Sequence, residues 1–225
     1  MNYFITHMSA VFPFLVKGAV YTVIITAMSV FFGTVIGLFL GLGRLSKKKF
    51  FSIPSSIYVD SIRGTPLLVQ ILIIYFGIPN LYNMITGDRF TMNVFVAAVL
   101  ACSINSGAYV AEIFRAGIQS IDKGQMEAAR SLGMTHRQAM RYIILPQAFR
   151  RIIPPLGNEF IVLLKDTSLL SVIGMEELLM QGQLYISRTY ASFPVLLEVA
   201  LIYLMMTWSI SRWVDYMEYK LGVKR

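Results

Sequence analysis

The sequence predicts an all-α membrane protein with five transmembrane helices, its N-terminus outside and its C-terminus inside. Three observations support this fold class. Of the 225 residues, 56% are hydrophobic and only 14% are charged, whereas a soluble domain usually carries about 25% charged residues. The apolar residues form blocks, and a membrane-spanning helix needs a block of roughly 20 residues. The basic residues are concentrated in particular loops, which is the pattern that sets orientation in a membrane.

Five apolar segments are long enough to span the bilayer. They lie at about residues 18–42, 55–78, 91–114, 152–173 and 193–213. The first contains no charged residue, and the second carries Asp60 and Arg63 near its start. The fourth contains Glu159, Lys165 and Asp166, so the second and fourth are the least regular of the five.

The basic residues predict which side each loop occupies. Sixteen of the 20 Lys and Arg residues lie after the first segment, after the third, or in the C-terminal tail. Because cytoplasmic loops carry excess Lys and Arg, these three regions are expected to be cytoplasmic. Five spans require the two termini to lie on opposite sides of the membrane. A cytoplasmic C-terminal tail and an outside N-terminus meet this requirement. This distribution explains the net charge of +8 better than binding to nucleic acid would.

Glycine recurs every four residues in the first segment, at positions 33, 37 and 41. Small residues at that spacing let two helix backbones approach closely, so we expect a packing seam. The stripe is not a phosphate-binding loop, because G-x-x-x-x-G-K-[ST] occurs nowhere in the chain. With only two histidines, one cysteine and no nucleophile–base constellation, the chain is expected to be no enzyme and to hold no metal or cofactor.

The segment 115–151 is long and polar but has the composition of a folded element. It contains the letters QMEAARSL, a run of good helix formers. Gly133 then interrupts the helix, and Thr135 is placed to cap a second helix over about residues 136–145. Pro146 is expected to end or bend that second helix. The predicted unit is therefore helix, glycine turn, helix on the cytoplasmic face.

Seven residues of this segment match every position of a long gapped motif. They are Glu127, Ala128, Ala129, Gly133, Ile143, Leu145 and Pro146. The pattern resembles the EAA loop of ABC-type import permeases. The stretches SIRGTPLLVQ, NSGAYVAEIFRAGIQSI and LGNEFIVLLKDTSLLSVIG resemble the branch that takes up polar amino acids of the histidine, glutamine, arginine and cystine type. Without the motif, Glu127 would be interpreted as a solvated charge or as a partner of Arg130.

This resemblance implies a function and a set of partners. Residues 1–225 would form one transmembrane domain of the type I ABC importer kind, and 115–151 would be its coupling loop. The chain would be a multi-pass permease subunit of an ATP-driven amino-acid importer in the inner membrane. A second permease subunit, identical or related, would complete the substrate pathway.

The remaining partners would lie on the two sides of the membrane. A dimer of ABC ATPase subunits would bind the loops, and these partners would hold ATP and Mg. An extracytoplasmic binding protein would deliver the amino acid. The alternative is a stand-alone channel or secondary transporter, but neither would explain a long structured loop with EAA spacing.

Polar residues inside the predicted spans are the candidate substrate-pathway residues. They are Glu159, Asn158, Arg63, Thr65, Gln70, Asn105, Ser106 and Tyr109. An ionisable side chain at the bilayer centre costs about 2.5–3.5 kcal/mol on insertion scales, so it usually faces a cavity or a partner. Glu159 would meet either a cationic group of the amino acid or Arg63, and Arg63 would either bind an α-carboxylate or anchor its helix. Lys165 and Asp166 are expected to form an ion pair between helices.

Overall fold

The computed structural model describes residues 2–222, and almost all of them are helical. The α-helices are α1 (Asn2–Leu45), α2 (Lys49–Arg63), α3 (Leu67–Leu72), α4 (Ile78–Thr86), α5 (Val94–Gln119), α6 (Lys123–Ser131), α7 (His136–Ala139), α8 (Leu145–Asp166), α9 (Leu178–Thr189) and α10 (Ser192–Leu221). A π-helical turn joins α3 to α4 and another joins α7 to α8, while a 3-10 segment follows α8. No strand occurs in this part of the chain, so the all-α prediction is confirmed.

Four segments within residues 2–222 are long and apolar enough to cross a membrane. They are Tyr3–Leu45, Leu67–Thr86, Val94–Gln119 and Ser192–Leu221. The third and fifth predicted spans correspond to α5 and α10. The fourth predicted span is also helical, formed by α8 and its 3-10 extension to Ile173. Its charged residues make it less apolar than the four segments above. The count of five spans therefore stays a prediction.

The first predicted span lies inside a longer helix. Its helix, α1, begins at Asn2 and runs 44 residues without interruption. Pro13 lies inside this helix and does not break it. At 1.5 Å per residue α1 is about 66 Å long, roughly twice the thickness of a hydrocarbon core. A large part of α1 therefore has to project beyond the bilayer.

The second predicted span starts too early, because the helix breaks inside it. α2 ends at Arg63, and Gly64, Thr65 and Pro66 separate it from α3. Pro66 has extended backbone angles (φ −64°, ψ 138°), and a proline disfavours helical geometry at the residue before it. The apolar crossing segment begins only at Leu67 and continues to Thr86. Asp60 and Arg63 thus lie before this span rather than within it.

The glycine stripe of α1 is a packing seam, as predicted, and the helix it packs against is α5. A Cβ atom built on Gly33 would lie 2.8 Å from the Cβ of Ser106, and one on Gly37 would lie 2.6 Å from the Cβ of Val110. At Gly41 the added atom would be 2.9 Å from the carbonyl oxygen of Ala111. Real Cβ atoms essentially never approach so closely. The seam therefore joins α1 and α5 at backbone contact, and it positions the wall of α5 that faces the site described next.

Candidate functional site

A cavity of about 620 Å³ opens between the break after α2, helix α5 and helix α8. Five of the predicted pathway residues line it, namely Arg63, Thr65, Asn105, Tyr109 and Glu159. Asp166, Val162, Leu163 and Leu169 complete much of the opposite wall. The structure therefore brings together polar residues from three segments that are far apart in sequence.

Gln70 was predicted to be a substrate-pathway residue, but its side chain stabilises the non-helical break between α2 and α3. Its side chain is buried, and its amide nitrogen lies 2.8 Å from the carbonyl oxygen of Ile62. The same nitrogen lies 3.1 Å from the carbonyl oxygen of Thr65 and 2.9 Å from the Thr65 hydroxyl oxygen. Its amide oxygen accepts a hydrogen bond of 3.0 Å from Asn105. Gln70 does not line the cavity; it ties the non-helical break to α5.

Three ionisable groups face the cavity. The guanidinium group of Arg63 stacks over the ring of Tyr109, 5.4 Å from its centroid. Glu159 is 9% exposed, and Asp166 lies seven residues, about two helical turns, further along α8. Within residues 2–222, no ion pair of 4 Å or less involves any of these three groups. A polar ligand would therefore meet one free cation and two free carboxyl groups.

The expected ion pair of Lys165 and Asp166 with another helix is not formed in this part of the chain. Lys165 is exposed and lies outside the cavity, while Asp166 lines it. Adjacent helical residues point about 100° apart, so one side chain can face inward while the other faces away. Asp166 is thus a cavity residue that the sequence analysis interpreted as structural.

Two other predicted pathway residues lie outside the cavity. Asn158 is exposed and lines neither of the cavities near Glu159. Ser106 is fully buried under Gly33 in the seam. Its hydroxyl group lies beside the Glu159 carboxyl group without reaching hydrogen-bond geometry to any described residue. Ser106 therefore borders the Glu159 side chain from behind rather than facing the opening.

A second cavity, of about 450 Å³, adjoins the first. Arg63, Tyr109 and Glu159 line both cavities, so these three side chains form the boundary between them. The second cavity extends along α5 and α8 toward Ser120 and Arg151, which border the polar loop. The two cavities together trace a path from the break after α2 to the side predicted to be cytoplasmic.

The polar loop has the predicted helix, turn and helix. Gly133 lies between α6 and α7 with a left-handed φ of +83°, which favours glycine. Thr135 and Gln138 form a reciprocal capping box at the start of α7. Of the motif residues, Glu127 and Ala128 are exposed and Ala129 is buried. Arg130 donates to the carbonyl oxygen of Met134 at 2.9 Å, so it does not pair with Glu127.

The chain does not end its helix at Pro146. The π turn Met140–Ile144 leads directly from α7 into α8, and Pro146 occupies the first turn of α8. Proline has no N–H group to donate to the preceding turn, and the irregular π turn lies directly before it. Ile143 and Leu145 are half-buried in this passage. The second loop helix and the fourth predicted span are therefore one continuous helical element.

An apolar cluster fastens this loop to the rest of the molecule. Ile144, Ala148 and Ile152 pack with Val110 and Phe114 of α5. A Cβ atom on Gly117 would lie 2.3 Å from Ile152, so α5 and α8 are in close contact here. A displacement of α6 and α7 would consequently be carried into α8, which bears Glu159 and Asp166.

Two polar clusters were not found by sequence reasoning. On the loop side, Arg44 of α1 forms ion pairs with Asp60 at 3.3 Å and with Glu112 at 3.2 Å. Arg115 binds the same Glu112 carboxylate. Only the spacing of Glu112 and Arg115, three residues apart on one helix face, was visible in the sequence. The pairing with Arg44 joins residues 68 positions apart.

The second cluster is centred on Glu177, which is fully buried. Its carboxylate accepts hydrogen bonds from the backbone N–H groups of Leu179 and Met180 and from the hydroxyl group of Tyr203 at 2.7 Å. Burial raises the pKa of the Glu177 carboxyl group, while these hydrogen bonds favour its charged form. The backbone N–H of Leu178 also donates to Thr22. Glu177 therefore caps α9 and joins it to α10, while the backbone of Leu178 joins α9 to α1.

Comparison with known proteins places the chain in a family. Residues 33–223 match the model of the binding-protein-dependent transport system inner membrane component. The chain is 42% identical to the glutamine transport system permease protein GlnP of Escherichia coli K12, over 88% of its length and 89% of that protein. It is 44% identical to the L-cystine transport system permease protein TcyB of Bacillus subtilis, over 88% of its length and 82% of that protein.

Solved structures agree with this assignment. A crystal structure of an amino acid ABC transporter with histidines contains a chain that is 46% identical, with a TM-score of 0.87, covering 95% of this chain and 96% of that one. A chain of the MetNI methionine ABC transporter shares the fold at 22% identity and a TM-score of 0.77. These matches favour the importer interpretation over a stand-alone channel or secondary transporter. The chain belongs to the inner-membrane components of binding-protein-dependent transport systems, and it is the permease subunit of an ABC amino-acid importer whose ATP hydrolysis is carried out by a separate subunit.

Proposed function

We propose that the 620 Å³ cavity is the substrate site and that its preferred cargo is an amino acid with a cationic or protonatable side chain. The observation that carries this proposal is the charge content of the cavity, with one cation and two carboxyl groups on its walls. Arg63 binds the α-carboxylate, because a guanidinium group matches the geometry of a carboxylate. Asp166 binds the α-ammonium group. Glu159 remains for a basic side chain.

The boundary of the two cavities supports a route for that cargo. Arg63, Tyr109 and Glu159 line both openings, so an amino acid held at the first cavity lies against the groups that close the second. Gln70 keeps the break that carries Arg63 in place. Release toward the cytoplasm then requires these three side chains to separate, which a movement of α8 relative to α5 achieves.

The polar loop is the element that drives this movement. An importer of this family works with an ATPase, a second permease and a binding protein, and the loop is the proposed contact for a dimer of ATPase subunits. Glu127 and Ala128 are exposed for that contact, and the cluster at Ile144 ties the loop to α5 and α8. The family description names the inner membrane, which we propose as the location of this chain, with ATP and Mg on the partner.

The substrate assignment is tested by Glu159→Gln, which keeps the side-chain volume and removes the charge. Uptake of cationic amino acids is expected to fall roughly tenfold or more, the range of a hydrogen bond to a charged group. Uptake of neutral amino acids should change little. Glu198→Gln is the matched control, since Glu198 is also buried but lines neither cavity. If the Glu159 variant transports every substrate at the wild-type rate, the assignment is excluded. If uptake of all substrates falls alike and the complex is lost, Glu159 has a structural role.

The five-span orientation is tested with cysteine labelling, because the native Cys102 is buried. Asp88 lies in the exposed turn between α4 and α5, and Lys123 begins α6. With an impermeant maleimide on intact cells, Asp88→Cys should react and Lys123→Cys should react only after permeabilisation. Labelling of Lys123→Cys in intact cells would place the loop outside, where an ATPase could not reach it.

A further inference from the structure

A groove between α8 and α10 shares no residue with the two cavities described above. It holds about 330 Å³, and every side chain lining it is apolar. Its walls are formed by Ile153, Leu156 and Phe160 of α8 and by Ile210, Trp213 and Met217 of α10. At its floor the helices touch, since a Cβ atom on Gly157 would lie 2.4 Å from Val214. A slot of this kind on a membrane protein has the shape and chemistry to hold a hydrocarbon chain.

Aromatic residues show where one end of the groove lies in the bilayer. Trp208, Trp213, Tyr216 and Tyr219 of α10 are 59%, 62%, 59% and 86% exposed. Exposed Trp and Tyr side chains are enriched at the membrane–water interface, where the ring meets the headgroups. The end of the groove near Trp213 and Met217 is therefore at headgroup level.

Two basic residues flank this same end. Arg150 precedes Ile153 by three residues on α8, and Lys220 follows Met217 by three residues on α10. Residues three apart share a helix face, and consecutive predicted spans run in opposite directions, so both lie just beyond the apolar walls on one side of the membrane. Each is exposed, and neither forms an ion pair of 4 Å or less within residues 2–222.

We propose that this groove binds an anionic phospholipid, with an acyl chain along the apolar walls and the phosphate group between Arg150 and Lys220. Phosphate oxygens form strong charge-assisted hydrogen bonds with Arg and Lys, and basic pockets between transmembrane helices on the cytoplasmic side bind such headgroups. The acidic residues nearest on the chain, Asp215 and Glu218, do not line the groove. The bound lipid braces α8 against α10 at the end of α8 that continues into the loop, independently of which amino acid is carried.

The test is lipid retention by the assembled transporter, purified from membranes in mild detergent. Phosphatidylglycerol, cardiolipin and phosphatidylethanolamine are extracted and counted per complex by mass spectrometry. The double variant R150Q/K220Q should retain at least roughly tenfold less anionic lipid, because the loss of each basic residue near an anionic headgroup weakens binding about fivefold and the two losses multiply. R89Q/R188Q, with the same charge change at exposed positions away from the groove, should retain the wild-type amount. Equal retention in the two double variants, or an equal loss of phosphatidylethanolamine, would overturn the proposal.

A second measurement asks whether protein covers the groove instead. Trp213→Cys places a thiol on its rim, 62% exposed in the native residue, while the native Cys102 is buried. With oxidant in native membranes, a lipid-filled groove should give no disulfide-linked permease dimer. A cross-linked dimer would show that a second copy of this chain occupies the groove and would contradict the lipid assignment.

Discussion

The polar loop and the membrane cavity are built in opposite ways. In the loop, the motif residues lie within 20 consecutive positions, and several of them, such as Glu127 and Ala128, are exposed. In the cavity, the polar residues come from three distant segments, and neighbouring side chains position some of them: Gln70 behind the cavity binds Asn105, and Arg63 stacks on Tyr109. The loop presents a surface to another protein, whereas the cavity has to hold its polar groups in a fixed arrangement inside an apolar environment.

This difference determines how each region should respond to substitution. A surface for a rigid partner fails when its backbone changes shape, because the contact is then lost as a unit. A polar cavity tolerates the loss of one contact in part, since neighbouring hydrogen bonds keep some of the arrangement. Backbone changes in the loop should therefore have the largest effects, and single ion pairs at partly exposed positions the smallest.

Gly133→Pro should abolish uptake while the subunit still inserts in the membrane. Proline fixes φ near −65°, but Gly133 has φ +83° and its N–H donates to the carbonyl oxygen of Arg130 at 3.0 Å. The variant therefore loses both the turn and that hydrogen bond. Uptake and copurification of the ATPase should be measured at matched subunit levels.

The control for this substitution is Gly87→Pro, which disrupts a left-handed glycine (φ +77°) in the turn at the other end of the molecule. That variant should still bind the ATPase. If the Gly133 variant transports normally, the coupling element lies elsewhere in the chain.

Gln70→Leu should reduce uptake of every substrate by a similar factor, roughly tenfold, which corresponds to about 1–3 kcal/mol for buried polar groups left unsatisfied. Its partners are the carbonyl oxygens of Ile62 and Thr65 and the amide of the buried Asn105. Uptake of several amino acids should be compared with that of the exposed control Gln183→Leu. A loss confined to one class of substrate would instead mean that Gln70 touches the cargo.

Arg44→Gln should have the smallest effect. Its partner Asp60 is 64% exposed and Glu112 is partly exposed, and pairs of this kind contribute about 0.2–1 kcal/mol. The melting temperature of the assembled complex should fall slightly, more at low salt than at high salt, and uptake should remain near the wild-type rate. A double-mutant cycle with Glu112→Gln measures the coupling energy of the Arg44–Glu112 pair. A value well above this range would show that the pair contributes strongly to the stability of the complex.

The loop could be predicted from sequence because its pattern is local. Glu127 to Pro146 is a fixed spacing along one stretch of chain, and Thr135 and Gly133 carry their own cap and turn signals. The cavity was predicted in part, since Arg63, Glu159 and Asn105 are polar residues in apolar surroundings. The sequence alone does not show which of these residues face the cavity. Gln70 and Asn158 are as polar as Asn105, yet one is turned into the break and the other faces outward.

Other features depend on pairings that a single sequence does not display. Arg44 and Glu112 meet only because the glycine seam brings α1 against α5. The start of the second span shifted to Leu67 because Pro66 ended the helical geometry more sharply than the apolar pattern indicated. The part of α1 before residue 18 was not predicted, because an apolar block that defines a membrane span does not show where its helix begins.

The glycine seam has a consequence for how this protein tolerates mutation. Any replacement of Gly33, Gly37 or Gly41 adds at least one carbon atom, and that atom would overlap α5. None of the three lines either cavity, and none belongs to the loop. A saturation screen scored only by growth on a transported amino acid would nevertheless rank them beside Glu159. Scoring the amount of subunit in the membrane in parallel would separate the two classes, because seam variants should lose protein and cavity variants should lose only transport.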